Sequence, residues 1–418
     1  METDYAVLIG LDWSSLKHDL CVLDTKTKET TRLVLTHTPK QINEWVSELI
    51  AKYPGQRIAI CLEQSRGPLV YALMDCAEID LYSVNPASFA KYRNAFQPSG
   101  AKNDVGDAAL LLDMLLRHRE QLKVWRPHTP AMRLLSSLCR DRRKIVDSRT
   151  KRTNALCAKL KEYYPQAIEL VGDILYSELC CAFLKKWPSW DRLAAAKPDQ
   201  IRKFYYAQRC RNPKVIEKRL ELIATGCALT NDAAVIESNS MFIKALIDEI
   251  RVLNKSIAEY DARISKVFKE HPDTFIFKSF PGAGQQQAPR LMVAFGEDRD
   301  RYESAEDVAS LFGVAPVLTS SGKQMSVRWR YHAPKFLRQS IVEYAGSSII
   351  FSKWAKLYYN EQRKRGKGHN AAVRALAFKW IRILFKCWKD RVPYDEQKYL
   401  ASLKQHGSWL AEAVNNAA

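Results

Sequence analysis

Leu8-Ile9-Gly10-Leu11-Asp12-Trp13-Ser14-Ser15 is an apolar run that delivers an acid near its end, and a second run, Leu20-Cys21-Val22-Leu23-Asp24, follows it closely. Two such runs read as a β-hairpin, with Asp12 at the end of a buried strand. Ile58-Ala59-Ile60-Cys61-Leu62-Glu63 repeats the pattern, closing on Glu63 before Ser65-Arg66-Gly67-Pro68 and an apolar helix. Asp104 and Asp107 stand three apart at the front of a helix expected to reach His118, so both project from one face of its first turn. Acids at two strand ends and one helix start can converge on paired Mg²⁺ ions.

Outward from these acids, residues 1–130 alternate expected strands (5–12, 18–24, 30–36, 57–63, 80–84) with helices near 39–53, 67–77 and 105–119. This is the element order of a ribonuclease H-like or RuvC-like mixed sheet. Residues 131–272 carry helical periodicity, with Ile243, Ile247, Ile250, Leu253 and Ile257 giving a coiled-coil or bundle seam, and Pro165, Pro188, Pro198 and Pro213 dividing the segment. Residues 273–400 read as a mostly helical domain with a helix-hairpin-helix-like segment at Pro281-Gly282-Ala283-Gly284, a strand over Met325–Tyr331 and long helices over 335–349 and 370–388. Residues 401–418 read as a tail. The expected fold class is α/β plus α.

The chain has 418 residues, 47% apolar and 27% charged, the balance of a globular protein with two or three cores. Ten cysteines without a Cys-x-x-Cys pair suit core filling in a reducing cytosol. No apolar stretch reaches the ~20 residues of a membrane span, and the N-terminus is polar rather than a signal peptide, so a cytoplasmic location without a membrane partner is expected. The net charge of +19 is segregated. Lys and Arg against Asp and Glu number 14 to 16 over residues 1–125, 11 to 3 over 126–166, 21 to 21 over 167–320 and 17 to 3 over 321–391. Two basic blocks that are also apolar-periodic point to folded polyanion grooves beside a neutral carboxylate domain.

Two-metal phosphoryl transfer needs several hard oxygen ligands around two divalent ions about 3.5–4 Å apart. Singly, each acid has an ordinary alternative: Asp104 and Asp107 cap a helix, and Asp12 ends a strand. Jointly they form a ligand set, with Asp19 and Asp113 as substitutes. A second reactive group is open in Leu318-Thr319-Ser320-Ser321-Gly322-Lys323, where a serine hydroxyl sits beside the cations Lys323, Arg328 and Arg330. A Ser-Ser-Gly sequence is, alone, an ordinary turn. The basic helix around Arg142, Arg143, Arg149 and Arg152 suits the phosphates of structured RNA or of DNA alike.

Gly10-Leu11-Asp12-Trp13, Glu63-Gln64-Ser65-Arg66-Gly67, Lys102-Asn103-Asp104-Val105-Gly106-Asp107-Ala108, Pro281-Gly282-Ala283-Gly284, Gly313-Val314-Ala315-Pro316, Ser321-Gly322 and Pro334-Lys335-Phe336-Leu337-Arg338-Gln339 occur together in one order. In that order they resemble transposases of the insertion sequence 110 family, the bridge-RNA-guided DEDD-type recombinases related to the Piv DNA invertase. The resemblance spans about 1–120 and 274–400, while Gln285-Gln286-Gln287-Ala288-Pro289 departs from the pattern. It implies Asp12, Glu63, Asp104 and Asp107 as Mg²⁺ ligands and Ser321 as the nucleophile that forms a phosphoserine link to DNA, with Ser320 its rival. It also implies double-stranded donor and target DNA, a structured noncoding guide RNA, Lys335 and Arg338 among the nucleic-acid contacts, and a dimer or tetramer with composite active sites. Two other readings of the residues stand beside it: a Holliday-junction nuclease using water as nucleophile, and a nucleic-acid-binding scaffold whose acids are structural.

Overall fold

The computed structural model describes residues 4–63, 66–96, 104–321 and 324–416, without the side chains of residues 104, 105, 320, 321, 324 and 325. The chain divides into two compact units, Met1–His128 and Thr129–Ala418.

The first unit is built on a six-stranded mixed sheet of order β3-β2-β1-β4-β5-β6. Its strands are β1 (Tyr5–Trp13), β2 (Lys17–Asp24), β3 (Thr30–Thr36), β4 (Arg57–Leu62), β5 (Ile79–Ser83) and β6 (Val124–Trp125). β1, β4 and β5 run parallel, whereas β2, β3 and β6 pair antiparallel with their neighbours. The helices are α1 (Pro39–Lys52), α2 (Pro68–Leu73), α3 (Pro86–Phe96) and α4 (Asp104–His118). Alternation along each strand sorts the apolar residues to two faces. Val7, Ile9 and Leu11 of β1 meet Ile42 and Leu49 of α1 and Leu69 and Leu73 of α2. Leu8, Ala59 and Cys61 look the other way, onto Phe89 of α3 and Ala108, Leu111 and Leu115 of α4. This mixed α/β layer agrees with the sheet expected from the sequence; α3 and β6 are additions to it.

Gly10 sets how closely α4 lies on that second face. A Cβ built at Gly10 would stand 2.1 Å from the Ala108 carbonyl oxygen and 2.3 Å from the Leu112 nitrogen. The helix backbone therefore rests directly on β1, an approach that any side chain at residue 10 would prevent.

The second unit is helical apart from one β-hairpin. Two long helices, α5 (Pro130–Tyr163) and α11 (Ala233–Glu270), run antiparallel. The start of α5 packs with the end of α11 in one core, and the end of α5 with the start of α11 in another. At 1.5 Å per residue they are about 50 and about 57 Å long. Around the second core fold α6 (Gln166–Val171), α7 (Glu178–Lys186), α8 (Trp190–Ala194), α9 (Pro198–Ala207) and α10 (Pro213–Thr225). Pro198 and Pro213 open helices rather than interrupt them, as the missing N–H of the first turn allows. Around the first core lie α12 (Thr274–Lys278), α13 (Gly284–Phe295), α14 (Ala305–Leu311), α15 (Lys335–Phe351), α16 (Lys353–Lys364), α17 (His369–Asp390), α18 (Glu396–Gln405) and α19 (Trp409–Asn416), with strands β7 (Val317–Ser321) and β8 (Gln324–Arg328). Within the second basic block, Trp354, Trp380 and Trp388 are fully buried and so belong to the core. The terminal residues read above as a tail also join this core, through Leu410 and Val414 of α19. Among the described residues, no helix is long and apolar enough to cross a membrane.

Candidate active site

Leu11 of β1 pairs with Leu62 of β4 in parallel register, so Asp12, still within β1, and Glu63, the residue after β4, follow at the same level. Neighbouring strands lie about 4.8 Å apart. Leu11 and Leu62 face α1 and α2, hence by alternation Asp12 falls on the α4 side of β1 with Gly10. Asp19 of β2 stands directly opposite Asp12, is buried, and lies 3.7 Å from the Lys17 ammonium. The thiol of Cys61, on the same face, is pushed up to about 12 by burial and stays protonated, so the ligand chemistry here is that of oxygen.

Asp107 approaches this face from α4, one residue before the Ala108 that touches Gly10. It is only 2% exposed, and its Oδ2 accepts a 2.7 Å hydrogen bond from Arg93 Nη1 of α3. Among the described residues its Oδ1 is buried without a hydrogen-bond partner. A buried carboxylate oxygen left in that state costs on the order of 1–3 kcal/mol unless something not yet counted engages it. Asp113, the expected substitute further along α4, accepts from Tyr92 Oη at 2.6 Å and Arg117 Nε at 2.5 Å, which occupies both its oxygens. Asp104 opens α4, but its side chain lies outside the described residues, as do Gln64, Ser65, Lys102 and Asn103. Among the described residues no three His, Cys, Asp or Glu side chains gather tightly enough to hold a metal. In kind the donors fit a hard divalent cation: Asp12, Glu63 and Asp107 are all carboxylates of one unit, and Asp107 has a buried oxygen unpartnered among the described residues.

Arg93 is the residue that sequence reasoning missed. Its helix begins at Asn85-Pro86, where Asn85 Oδ1 accepts from the Ala87 N–H at 2.8 Å, and this start signal was the available clue. Phe89 buries the inner face of α3, and Tyr92 and Arg93 tie the helix to α4.

Ser321 ends β7 and pairs with Gln324 of β8, while Gly322 and Lys323 lie outside the described residues. Ser320 is one position earlier, opposite Met325; the side chains of both serines are undescribed. The ribbon is exposed, with Leu318 and Val327 about two-thirds accessible, and its exit is clamped. Arg338 Nη2 donates to the carbonyls of Arg330 at 2.9 Å and Tyr331 at 2.7 Å. The guanidinium groups of Arg338 and Arg374 both lie over the Trp329 ring, 4.9 and 4.1 Å from its centre. Arg338 is thus occupied in holding the hairpin base, while Arg328 and Lys335 are exposed and Arg330 is partly so.

On α5 the basic residues meet partners in the helical unit. Arg142 makes a bidentate pair with Asp261 at 2.6 and 3.0 Å, and Arg152 pairs with Glu249. Arg149 donates to Asn254 Oδ1 at 3.0 Å and stacks 3.9 Å from the Tyr176 ring. Arg143 bridges Asp147 and Glu343, each at 2.9 Å. These side chains tether α5 to α11 and neighbouring elements, whereas Lys151 and Lys161 on the same helix are exposed.

Comparison with known proteins adds an independent finding. Residues 9–165 match a family model for DEDD transposases of insertion sequence 110, described as "Transposase", and residues 275–360 match one described as "Transposase IS116/IS110/IS902 family". The "Mini-circle putative transposase for IS117" of Streptomyces coelicolor is 26% identical over 417 residues, covering 97% of this chain and 99% of that protein. The "Insertion element IS110 uncharacterized 43.6 kDa protein" of the same organism is 22% identical over 401 residues, covering 94% and 96%. The "Insertion element IS900 uncharacterized 42 kDa protein" of Mycobacterium paratuberculosis is 23% identical over 402 residues, covering 93% and 97%.

Proposed function

Because the chain belongs to the insertion sequence 110 family of transposases, we propose that it cuts and exchanges DNA strands with a carboxylate-bound Mg²⁺ centre and a serine nucleophile. As a DNA transposase it is an enzyme of phosphoryl transfer. The observation that supports the metal reading is the buried Asp107 Oδ1, unpartnered among the described residues, in the unit whose β1–β4 register sets Asp12 and Glu63 at one level. Asp12, Glu63, Asp104 and Asp107 are the residues that would hold the ions. When bound, a pair of divalent ions supplies Lewis-acid activation of the attacking oxygen and stabilisation of the leaving one.

The protein's own groups do the rest. Ser321 Oγ attacks the scissile phosphorus and loses its proton, the bond from phosphorus to the departing deoxyribose oxygen breaks, and that oxygen leaves as a free hydroxyl. The resulting phosphoserine diester keeps the bond energy needed to rejoin a different strand. Arg328 and Arg330, together with Lys323, offset phosphate charge at the hairpin, and Lys335 contacts the backbone nearby. Arg338 serves this surface by holding its base. We assign residues 1–130 to a RuvC-like nuclease domain, 131–272 to a helical linker, and 273–400 to a transposase domain into which the last helix packs. In that domain the turn between α12 and α13 is a helix-hairpin-helix-like phosphate contact.

A structured guide RNA selects donor and target DNA in this reading, and the acids of one chain act with Ser321 of another in a dimer or tetramer. The test is Asp104→Asn, which removes a ligand charge and keeps the shape. Mg²⁺-dependent strand cleavage should fall by orders of magnitude with DNA binding retained; wild-type cleavage by the variant would remove Asp104 from the ligand set.

A further inference from the structure

We propose that Arg93 is a positioning residue for the metal centre: by holding Oδ2 of Asp107 it fixes the carboxyl rotation and reserves Oδ1 for the cation. This inference rests on the reading of Asp107 as a ligand. The two oxygens of Asp107 are treated differently by the fold, one taking the 2.7 Å bond from Arg93 Nη1 and the other buried with no partner among the described residues. A carboxyl turns readily about its last bond, so a side chain with an unoccupied oxygen keeps one orientation only when the other oxygen is tied. The tie itself is braced. The Arg93 side chain is three-quarters buried, and its guanidinium stands 5.8 Å from the ring centre of Phe89, which is fully buried one turn earlier in α3. Tyr92, the residue before it, bonds Asp113 two turns further along α4, so α3 cannot slide without breaking both links. Ligating carboxylates are commonly held in this way, and losing the holding group typically costs about 10–100-fold in metal affinity.

The experiment measures Mn²⁺ binding to the full chain by titration calorimetry, in wild type, Asp107→Asn, Arg93→Gln, Arg93→Lys and Tyr92→Phe, with thermal unfolding alongside. Asp107→Asn tests the underlying reading: unchanged Mn²⁺ affinity in that variant removes Asp107 as a ligand and the role of Arg93 with it. If Asp107→Asn weakens binding, Arg93→Gln should weaken it about 10–100-fold and Arg93→Lys should recover part of the loss. Tyr92→Phe, which loosens the same helix pair without touching Asp107, should bind Mn²⁺ as wild type does. Affinity in Arg93→Gln equal to or tighter than wild type, while Asp107→Asn is impaired, overturns the proposal. So does an equal loss in Tyr92→Phe, because the effect would then belong to the α3–α4 packing as a whole.

Discussion

Gly10→Ala adds one methyl group where α4 crosses β1, and the structure gives the size of the conflict. The new carbon would lie 2.1 Å from the Ala108 oxygen and 2.3 Å from the Leu112 nitrogen, against an ordinary contact of about 3.5 Å. Both obstructing atoms are helix backbone, so no rotamer change relieves them, and α4 must retreat by about 1 Å or more. Overpacking of this kind costs about 1–3 kcal/mol, offset by about 0.5–1 kcal/mol because alanine loses less backbone freedom than glycine on folding. The net loss should be about 1 kcal/mol. The functional effect should be larger, since a displacement of about 1 Å in catalytic groups can cost about 100-fold in rate, and α4 carries Asp104 and Asp107. Hydrogen exchange read on peptides from 104–118 should rise while α5 and α11 stay as protected as in wild type. Mg²⁺-dependent cleavage should fall about 100-fold. Gly55→Ala is the control: its φ of 67° carries a local strain of about 1–2 kcal/mol, but no atom lies within 4 Å of the added carbon, so cleavage should be unaffected. Wild-type exchange at α4 together with wild-type cleavage in Gly10→Ala would refute the argument that this contact positions the acids.

At the other end of the sheet, buried Asp80 accepts from Tyr5 Oη at 2.6 Å, Arg126 Nη1 at 3.1 Å and Arg57, so Asp80→Ala should destabilise the first unit by about 2–3 kcal/mol in chemical denaturation. The two arginines are more than half exposed and can recover water, which keeps the loss below that of a fully buried pair. His18 is fully buried, and burial, with repulsion from His37, lowers it from the ordinary 6.5 to about 4 despite the opposing pull of Asp19. The unfolded chain therefore takes up this proton first, and stability present above pH 6.5 should decline towards pH 4 by at most about 3 kcal/mol. His18→Gln should flatten that part of the profile, and an unchanged slope would dismiss the histidine as its source. Protein purified without nuclease should carry a discrete structured RNA, and Lys151→Ala with Lys161→Ala should lower the salt dependence of its binding. Arg142→Ala should instead show first as a lower melting temperature, because it leaves Asp261 without its bidentate partner.

Strands β1 and β4 were legible because buried parallel strands are written as unbroken apolar runs, and each of these ends on an acid that no core would keep. The start of α4 was legible from its helical spacing. By contrast, α3 reads Pro-Ala-Ser-Phe-Ala-Lys-Tyr-Arg-Asn-Ala-Phe, with only Phe89 fully buried, so it lacks the apolar stripe by which a helix announces itself. Arg93 was hidden with it. Strand β7 escaped for a related reason: Leu318 and its partner Val327 are both exposed, so the ribbon has no buried face to impose a period of two. The cations of α5 were visible as charge but not as bonds. Asp261, Asn254 and Glu249 lie on α11, about a hundred residues downstream, and only the antiparallel pairing of the two long helices brings them opposite.

Covalent capture at the serine hairpin tests the central claim most directly. The protein, with its own element-end DNA and Mg²⁺, should yield on denaturation a protein–DNA adduct that proteolysis and mass spectrometry place on Ser321. Ser321→Ala should abolish the adduct while still binding DNA, and Ser320→Ala should retain it. Strand cleavage that proceeds in Ser321→Ala with no adduct in either protein would contradict the serine mechanism and leave the acids acting with water as the nucleophile.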